Sequence, residues 1–346
     1  MKKVVLIRLD KIGDLISTIP VDQAPFLSGS DITWVISKGL SFVPENADPK
    51  RKFIELDKND PWPSFSKLVQ FLRNEKPDVA VSFQAPWWVS LALLVAGVPV
   101  RAGVQSQWHS FLFLNKALRQ KRSEARQHEA DYNADLLAFA FDELDKRILS
   151  QRHTQGVQYL SPLLHMTAPE KIDLSRFGLQ SHQYVIVHPG MAGSALNWPI
   201  AKYITLIAEL IKDTKVVLTG TAADEKWLTE IKKTYVGNPQ VINLQDQLNS
   251  KELLSVISEA KAVVCPSTGV AHIAAALGTP LVAMYSPIRV QHPRRWAARG
   301  NDVEILLPDS PCQAAFNCEG ESCKYFFCMD KISVDSVLQK VKEIQN

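Results

Sequence analysis

No stretch of this sequence is apolar for long enough to cross a bilayer. The longest apolar run, near residues 87–98, falls far short of the ~20 residues a spanning helix needs. At the start, Val4-Val5-Leu6-Ile7 is cut off by Arg8, Asp10 and Lys11, too early for the apolar core of a secretory signal. The expectation is a cytoplasmic protein, with peripheral attachment to the inner face of the membrane left open. Strong charge is also missing. A net charge of +3 is too mild to argue for a nucleic-acid partner, and nothing points to an obligate protein partner. Glycine patterns for cofactors are absent: there is no G-x-G-x-x-G after the first strand and no Walker A loop, which removes the dehydrogenase and P-loop readings. Cysteine is scarce. Cys265 stands alone, while Cys312, Cys318, Cys323 and Cys328 follow C-x5-C-x4-C-x4-C, without the paired C-x2-C of a strong zinc site. The expectation is reduced thiols in a packed C-terminal lobe, with no metal and no cofactor. No short-period repeat or low-complexity tract is present.

What remains is ordinary globular material for two domains. Hydrophobic residues make up 46% and charged residues 22% of 346, so each half can bury its own core. Short β-branched runs alternate with helical patterns. Strands fit at 3–9, 32–36, 53–56, 78–82 and 100–103, with helices from about 14 toward 27 and at 64–74, 87–96 and 129–144. After a loop-rich stretch at about 150–182 the alternation restarts. Strands fit at 184–188, 215–219, 241–243, 262–265 and 281–285, with helices between them and a last one near 334–344. Such alternation implies mostly parallel sheets covered on both faces. The fold expected is α/β: two Rossmann-like doubly wound domains, 1–165 and 166–346, facing a central cleft. The final helix is left free to pack back on the first domain. In such sheets, ligands bind beyond the carboxyl ends of the strands.

Three strand-to-helix turns carry candidate chemistry. Arg8-Leu9-Asp10-Lys11-Ile12-Gly13-Asp14 puts a carboxylate at a helix start beside two cations. A carboxylate there can take a proton from a hydroxyl, although spacing alone favours a capping or dipole role. His188-Pro189-Gly190-Met191-Ala192-Gly193-Ser194, running on to Asn197-Trp198-Pro199, is a small-residue loop whose N–H groups could meet a phosphate. An ordinary βα loop fits it equally well. Cys265-Pro266-Ser267-Thr268-Gly269 leads into the alanine-rich helix that carries His272, and a helix start of this kind favours anions.

Taken in order, these motifs resemble glycosyltransferase family 9, the bacterial lipopolysaccharide heptosyltransferases. The carrying residues are Ile7-Arg8 with Ile12-Gly13-Asp14 and Ile19-Pro20, Arg101-Ala102-Gly103, and His128-Glu129 with Asn133 and Leu136-Leu137. His188-Pro189-Gly190, Trp198-Pro199, Leu218-Thr219-Gly220, and Ser267-Thr268-Gly269 with 272–280 complete the set. The resemblance implies a GT-B fold and metal-independent, inverting transfer of heptose from ADP-heptose to a lipid A-linked core acceptor at the inner membrane surface. It implies Asp14 as catalytic base. It places the nucleotide sugar on the second domain, against Gly190, Met191, Ser194, Asn197, Thr219, Ser267, Thr268, Gly269 and His272. Acceptor or supporting contacts fall to Arg8, Lys11, Gly13, Arg119, Lys121 and Arg122. Two positions depart from the family pattern: Leu196 stands where a lysine is usual, and Ser267 where an aspartate is usual. Arg8, Lys11, Lys202 and Arg289 are candidates for the missing cation. The departures keep open a different nucleotide sugar or acceptor, or a non-catalytic sugar-nucleotide-binding protein.

Two weaker signals remain. Lys116, Arg119, Lys121, Arg122 and Arg126, opposed only by Glu124, suit an acidic headgroup or a solvated loop. Trp87-Trp88 at the start of an apolar helix suit an acceptor surface, a membrane interface or a core.

Overall fold

The computed structural model describes residues 1–144, 162–169, 172–191, 193 and 195–344. The chain divides into two compact units, Met1–Arg122 with Arg126–Leu164, and His165–Asn346 with Ser123–Ala125.

The first unit holds a six-stranded sheet of β1 (Lys3–Arg8), β2 (Asp31–Ser37), β3 (Lys52–Leu56), β4 (Val79–Gln84), β5 (Val100–Val104) and β6 (Lys116–Leu118). All neighbours pair in parallel, in the spatial order β3-β2-β1-β4-β5-β6. β1 reads Lys-Val-Val-Leu-Ile-Arg and is buried on both faces from Val4 onward, as a central strand sandwiched by helices must be. Its companions are α1 (Ile12–Thr18), α2 (Pro61–Glu75), α3 (Trp87–Val95), α4 (Trp108–Phe113) and α5 (Glu129–Ala140). On one face of the sheet, Leu68, Leu72, Trp88, Val89 and Leu93 close over Val5, Ile7, Val35 and Ala80.

The second unit repeats the plan. β7 (Tyr184–Val187), β8 (Lys215–Leu218), β9 (Val241–Asn243), β10 (Ala262–Pro266), β11 (Leu281–Met284) and β12 (Val303–Leu306) run parallel in the order β9-β8-β7-β10-β11-β12. The helices are α6 (Ile200–Leu210), α7 (Glu225–Thr234), α8 (Ser250–Ser258), α9 (Gly269–Leu277) and α10 (Val334–Glu343). An Asn249/Glu252 capping box starts α8, and Gly278, in the left-handed region at φ 74°, ends α9. Alanines at 271 and 274–276 leave α9 buried nearly all round, tight against β10, β11 and α8.

Three expectations need correction. The first helix does not run on toward Leu27. It ends at Thr18, and 3-10 turns follow at Ile19–Gln23 and Pro25–Leu27, where Pro20 and Pro25 cannot donate to a preceding carbonyl. Besides the two-residue strands Ala47–Asp48 and His165–Met166, two strands of the main sheets were missed, β6 and β12, one at the end of each. Each is short and only half-buried, because an edge strand has a single paired neighbour and tolerates lysine and glutamate. The last helix packs within the second unit: Val337 and Val341 of α10 join the core with Tyr203 and Ile207 of α6.

Both sheets therefore have the 3-2-1-4-5-6 order, which reverses direction once, between β1 and β4 in the first unit and between β7 and β10 in the second. Ligands in open α/β sheets collect beyond the strand ends at that reversal.

Candidate functional site

In the first unit the reversal point carries a knot of charges. The β1–β4 pairing slips between Ile7 and Arg8, and this irregularity ends β1 at the site. Arg8 is 1% exposed, yet carries a full charge. Its Nη2 donates to Asp14 Oδ1 and lies 3.5 Å from Asp10 Oδ2, and its Nη1 donates to Glu129 Oε1 at 3.4 Å. Glu129, also 1% exposed, accepts a second guanidinium, that of Arg122. Burial opposes the Arg8 charge, but Asp14, Glu129 and Asp10 more than offset it and hold the Arg8 pKa above its ordinary value. Burial, and next the Asp14 carboxylate, raise the pKa of Asp10 against the pull of Arg8 and Lys58.

Asp14 sits in the first turn of α1 and does not cap it. Lys11 is the N-cap and offers no side-chain bond. The Asp14 side chain is 15% exposed, and Arg8 is the only hydrogen-bond partner of its carboxylate among the described residues. One oxygen is thus anchored and the other left open. The turn is held from behind. Thr18 Oγ1 donates to the Asp14 carbonyl at 2.6 Å and accepts from Asn133 Nδ2 at 2.9 Å. Asn133 belongs to α5, whose N-cap His128 accepts the Ala130 N–H on Nδ1 at 3.1 Å. Gly13 is the second residue of α1, half-buried, and Lys11 is exposed without a side-chain partner among the described residues.

The basic segment separates into two kinds of residue. Arg122 is a buried brace that binds Glu129 and donates to Gln120 at 2.7 Å, and is not a surface cation as expected. Lys116 pairs with Asp142 at 2.6 Å. Arg119, Lys121 and Arg126 are exposed and line a cavity of 280 Å³ together with Gln127, Tyr132 and Asp135. Trp88 belongs to the core, whereas Trp87, just past β4, meets Trp108 of α4 at 6.2 Å between ring centres. Trp108 is 59% and Phe111 64% exposed, so this end of α4 presents an apolar surface.

In the second unit the two remaining turns come from adjacent strands. Val187 pairs with Val264, and the His188 N–H donates to the Val264 carbonyl at 2.9 Å. His188 is buried, with Nδ1 2.9 Å from Thr219 Oγ1. Burial lowers its pKa to about 4 against the opposing pull of Asp224, so the ring is neutral near pH 7. Glycine is required at 190, where a Cβ would stand 2.3 Å from Asp224 Cγ. Asp224 cannot give way easily, because its Oδ2 accepts both the Thr221 N–H at 3.0 Å and the Thr221 hydroxyl at 2.9 Å. A Cβ at Gly220 would likewise meet Leu228 at 2.7 Å. Thr268 is the N-cap of α9 and makes no side-chain capping bond, Gly269 opens the helix, and Ser267 is half-buried with its N–H on the Met284 carbonyl at 3.0 Å. Met191 and His272 are buried.

Asn197 braces the loop. Its Nδ2 donates to the Pro189 carbonyl at 2.7 Å, and its Oδ1 accepts from the Trp198 N–H at 2.8 Å and the Tyr203 hydroxyl at 3.1 Å. Ser194 lies outside the described residues. Of the candidate cations, Arg8 is held by its carboxylates, and Lys202 donates to the Ile332 carbonyl at 3.1 Å and pairs with Asp330. Arg289 is exposed, with no side-chain partner among the described residues, in a turn whose Gln291 Oε1 accepts the Leu196 N–H at 3.3 Å. Residues that sequence reasoning missed are Asp10 and Asp224. Only the packing against Arg8 and Gly190 reveals them, though the aspartate pair four residues apart around one arginine was a readable hint.

The four clustered cysteines come together in space. All line one cavity of 450 Å³ in the second unit, with Leu196, Asn197, Pro199 and Ile288 on another side. Burial, then Cys312, Cys318 and, more weakly, Cys323 raise the Cys328 thiol pKa. Cys265 is remote from them in sequence and buried in β10.

Two Rossmann-like domains, one with a held carboxylate and one with two glycine-bearing turns at their reversal points, have the architecture of the GT-B fold. A model of glycosyltransferase family 9 (heptosyltransferase) matches residues 65–324, and the chain belongs to that family. It is 26% identical over 99% of its length to a Haemophilus influenzae protein that bears only the general name of glycosyltransferase, covering 96% of that protein. It is 24% identical over 99% of its length to the lipopolysaccharide core heptosyltransferase OpsX of the same organism, covering 97% of it. Among solved structures it matches the ADP-heptose LPS heptosyltransferase II of E. coli with a TM-score of 0.74 and 21% identity, covering 100% of this chain and 98% of that one.

Proposed function

We propose that this protein transfers heptose from ADP-heptose to the core region of a lipid-linked lipopolysaccharide acceptor, with inversion and with Asp14 as general base. The observation that carries the reading is the Asp14 carboxylate, fixed through one oxygen by a buried arginine at the reversal point of the first domain. The acceptor hydroxyl gives its proton to the open oxygen of Asp14 while its own oxygen attacks the anomeric carbon. The bond from that carbon to the diphosphate breaks, and ADP departs with the electron pair. Attack opposite the leaving group inverts the anomeric centre. A general base contributes about 10²–10⁴ in rate.

The departing diphosphate gains negative charge, and the second domain answers it with backbone donors. The start of α9 at Thr268–Gly269 and the turn at Gly190 follow neighbouring strands, so their backbone N–H groups can serve one anion. Arg289, in the turn whose Gln291 side chain meets the Leu196 N–H, takes the role of the lysine that the family has at 196. The transfer needs no cofactor and no metal, and engages neither nucleic acid nor an obligatory protein partner. On the first domain, Arg119, Lys121 and Arg126 receive the anionic acceptor, and Trp87, Trp108 and Phe111 rest against the inner membrane surface. Co-sedimentation with anionic vesicles, lost in a Trp108→Ala, Phe111→Ala double variant, tests that last point.

The uncharged Leu196 and Ser267 favour one second reading, a family member with another nucleotide sugar. Thermal shift against ADP, GDP, UDP and their sugars separates the two. Selective stabilisation by ADP and ADP-heptose supports the first, and selective stabilisation by another nucleotide overturns the donor.

A further inference from the structure

Asp14 has a neighbour with no part yet in the transfer. Arg8 carries one positive charge and meets three carboxylates, Asp14, Glu129 and Asp10. Two of the three have clear work. Asp14 takes the close bond from Nη2, and Glu129 is shared with Arg122 and ties the turn to α5. Asp10 is left with a contact of 3.5 Å to the same Nη2, the outer limit of a hydrogen bond. Nor does the turn need the Asp10 side chain to hold its shape. The Leu9 N–H donates to the Gln84 carbonyl at 3.2 Å and the Leu15 N–H to the Lys11 carbonyl at 3.1 Å, so the backbone is pinned on both sides of Asp10.

The charge of Asp10 is also unfavourable where it stands. Burial, then Asp14, raise its pKa, while Arg8, the exposed Lys58 ahead of α2 and the Lys11 backbone N–H pull the other way without winning. Its side chain is still 27% exposed, on a rigid turn, at the point where ligands of such a sheet collect. A loosely bonded carboxylate kept there against its own solvation is placed for a ligand, and when ionised it offers that ligand only acceptors. Asp10 and Asp14 meet at a single nitrogen of Arg8. Their oxygens are therefore close enough for two hydroxyls on adjacent carbons of one sugar ring to reach both.

We propose that Asp10 selects the acceptor: its carboxylate accepts the hydrogen bond of the hydroxyl next to the one that Asp14 deprotonates, so the acceptor sugar must carry two neighbouring free hydroxyls. This selection rests on Asp14 being the general base and is independent of the donor's identity. A ring held at two points cannot turn, and its attacking oxygen rather than the neighbouring one is presented to Asp14. Arg8, touching both carboxylates, sets the distance between them. Asp10 takes no proton in the transfer; the proton goes to Asp14. A sugar whose second hydroxyl is already glycosylated or phosphorylated has nothing to donate to Asp10 and is refused.

The test pairs an enzyme series with an acceptor series, using a synthetic core oligosaccharide, its single-deoxy forms, and the nucleotide sugar that thermal shift selects. The deoxy form that abolishes turnover identifies the attacking hydroxyl. Wild type is expected to lose about 10–100-fold in kcat/KM on the form lacking the hydroxyl beside it, the worth of a bond to a charged group. Asp10→Ala is expected to lose about as much on the full acceptor and nothing further on that deoxy form. Asp10→Asn, which can still accept a bond, recovers part of the loss. Its urea midpoint at pH 7 is expected to be unchanged or higher, since a carboxylate with a raised pKa destabilises the fold when ionised. Equal losses for Asp10→Ala on both acceptors would mean a structural role and overturn the proposal. So would a wild type indifferent to every hydroxyl except the attacking one. Asp14→Asn, assayed alongside, separates the two failures. Normal turnover there removes the general base and this selection with it, whereas lost turnover there with equal Asp10→Ala losses removes the role of Asp10 alone.

Discussion

Replacing Glu129 by glutamine tests the charge network around Arg8. Glu129 is 1% exposed and stands between two guanidinium groups, Arg8 and Arg122, that are themselves buried. Glutamine keeps the shape and one acceptor oxygen but removes the negative charge, so two buried cations face each other across a neutral amide. Breaking a buried pair by removing one partner costs about 3–5 kcal/mol, most of it the desolvation of the charge left behind. The low end applies here, because Asp14 and Asp10 still serve Arg8 and the amide can still accept one bond. The expected loss is therefore about 3 kcal/mol. With a urea slope of about 1–3 kcal/mol per molar, the unfolding midpoint drops by roughly 1–3 M. Tryptophan fluorescence during urea titration reads it, since Trp34 is fully buried in the same domain. A Glu129→Leu, Arg122→Met variant, which removes both charges of one pair, should recover part of the loss. A Glu129→Gln variant within about 0.5 kcal/mol of wild type would refute the reasoning, since that is the scale of an ordinary surface substitution.

Other consequences follow from the second domain. Gly190→Ala places a methyl 2.3 Å from Asp224 Cγ, so it should destabilise by about 1–3 kcal/mol and weaken ADP binding, and Gly190→Ala with Asp224→Ala should relieve part of both; calorimetry on the three variants checks this. Arg289→Ala should weaken ADP binding about 10–100-fold, the worth of a charge-assisted bond, with unchanged unfolding; equal affinity would remove Arg289 from the donor site. His188, lowered from 6.5 to about 4, leaves the unfolded chain binding a proton that the folded chain refuses. Its contribution is therefore whole above pH 6.5 and lost as pH falls toward 4, up to roughly 3 kcal/mol at 1.36 kcal/mol per pKa unit. Urea unfolding of wild type and His188→Gln at pH 7 and pH 4.5 should show the variant losing less, and parallel losses would count against it.

The fold was readable because its period is simple. Buried parallel strands such as Val4-Val5-Leu6-Ile7 and Tyr184-Val185-Ile186-Val187 are continuous β-branched or apolar runs, and the turns after them carry the glycines and polar residues. What escaped was whatever depends on packing that no local pattern announces. β6 and β12 were hidden because an edge strand is only half-buried and keeps polar residues. Arg122 looked like one surface cation among several until Glu129, seven residues on, was seen to face it from the start of α5. The glycine at 190 looked like phosphate-loop flexibility, but the packing gives it a second reason, Asp224, thirty-four residues further along the chain. The bonds that Asn197 makes within its own loop, to Pro189, Trp198 and Tyr203, were not readable from its place in the motif. The four cysteines were read pair by pair against a zinc-finger spacing, and only folding gathers them around one cavity.

The central claim is that Asp14 removes the acceptor proton. It is tested most directly by the turnover rate of Asp14→Asn with ADP-heptose and a lipid-linked core acceptor, measured beside the ADP dissociation constant of the same preparation. Asparagine keeps the hydrogen-bonding shape beside Arg8 but cannot take a proton at neutral pH. The account predicts a turnover about 10²–10⁴ lower than wild type with ADP affinity unchanged. Turnover within about threefold of wild type, far inside the range expected for loss of a general base, would contradict it.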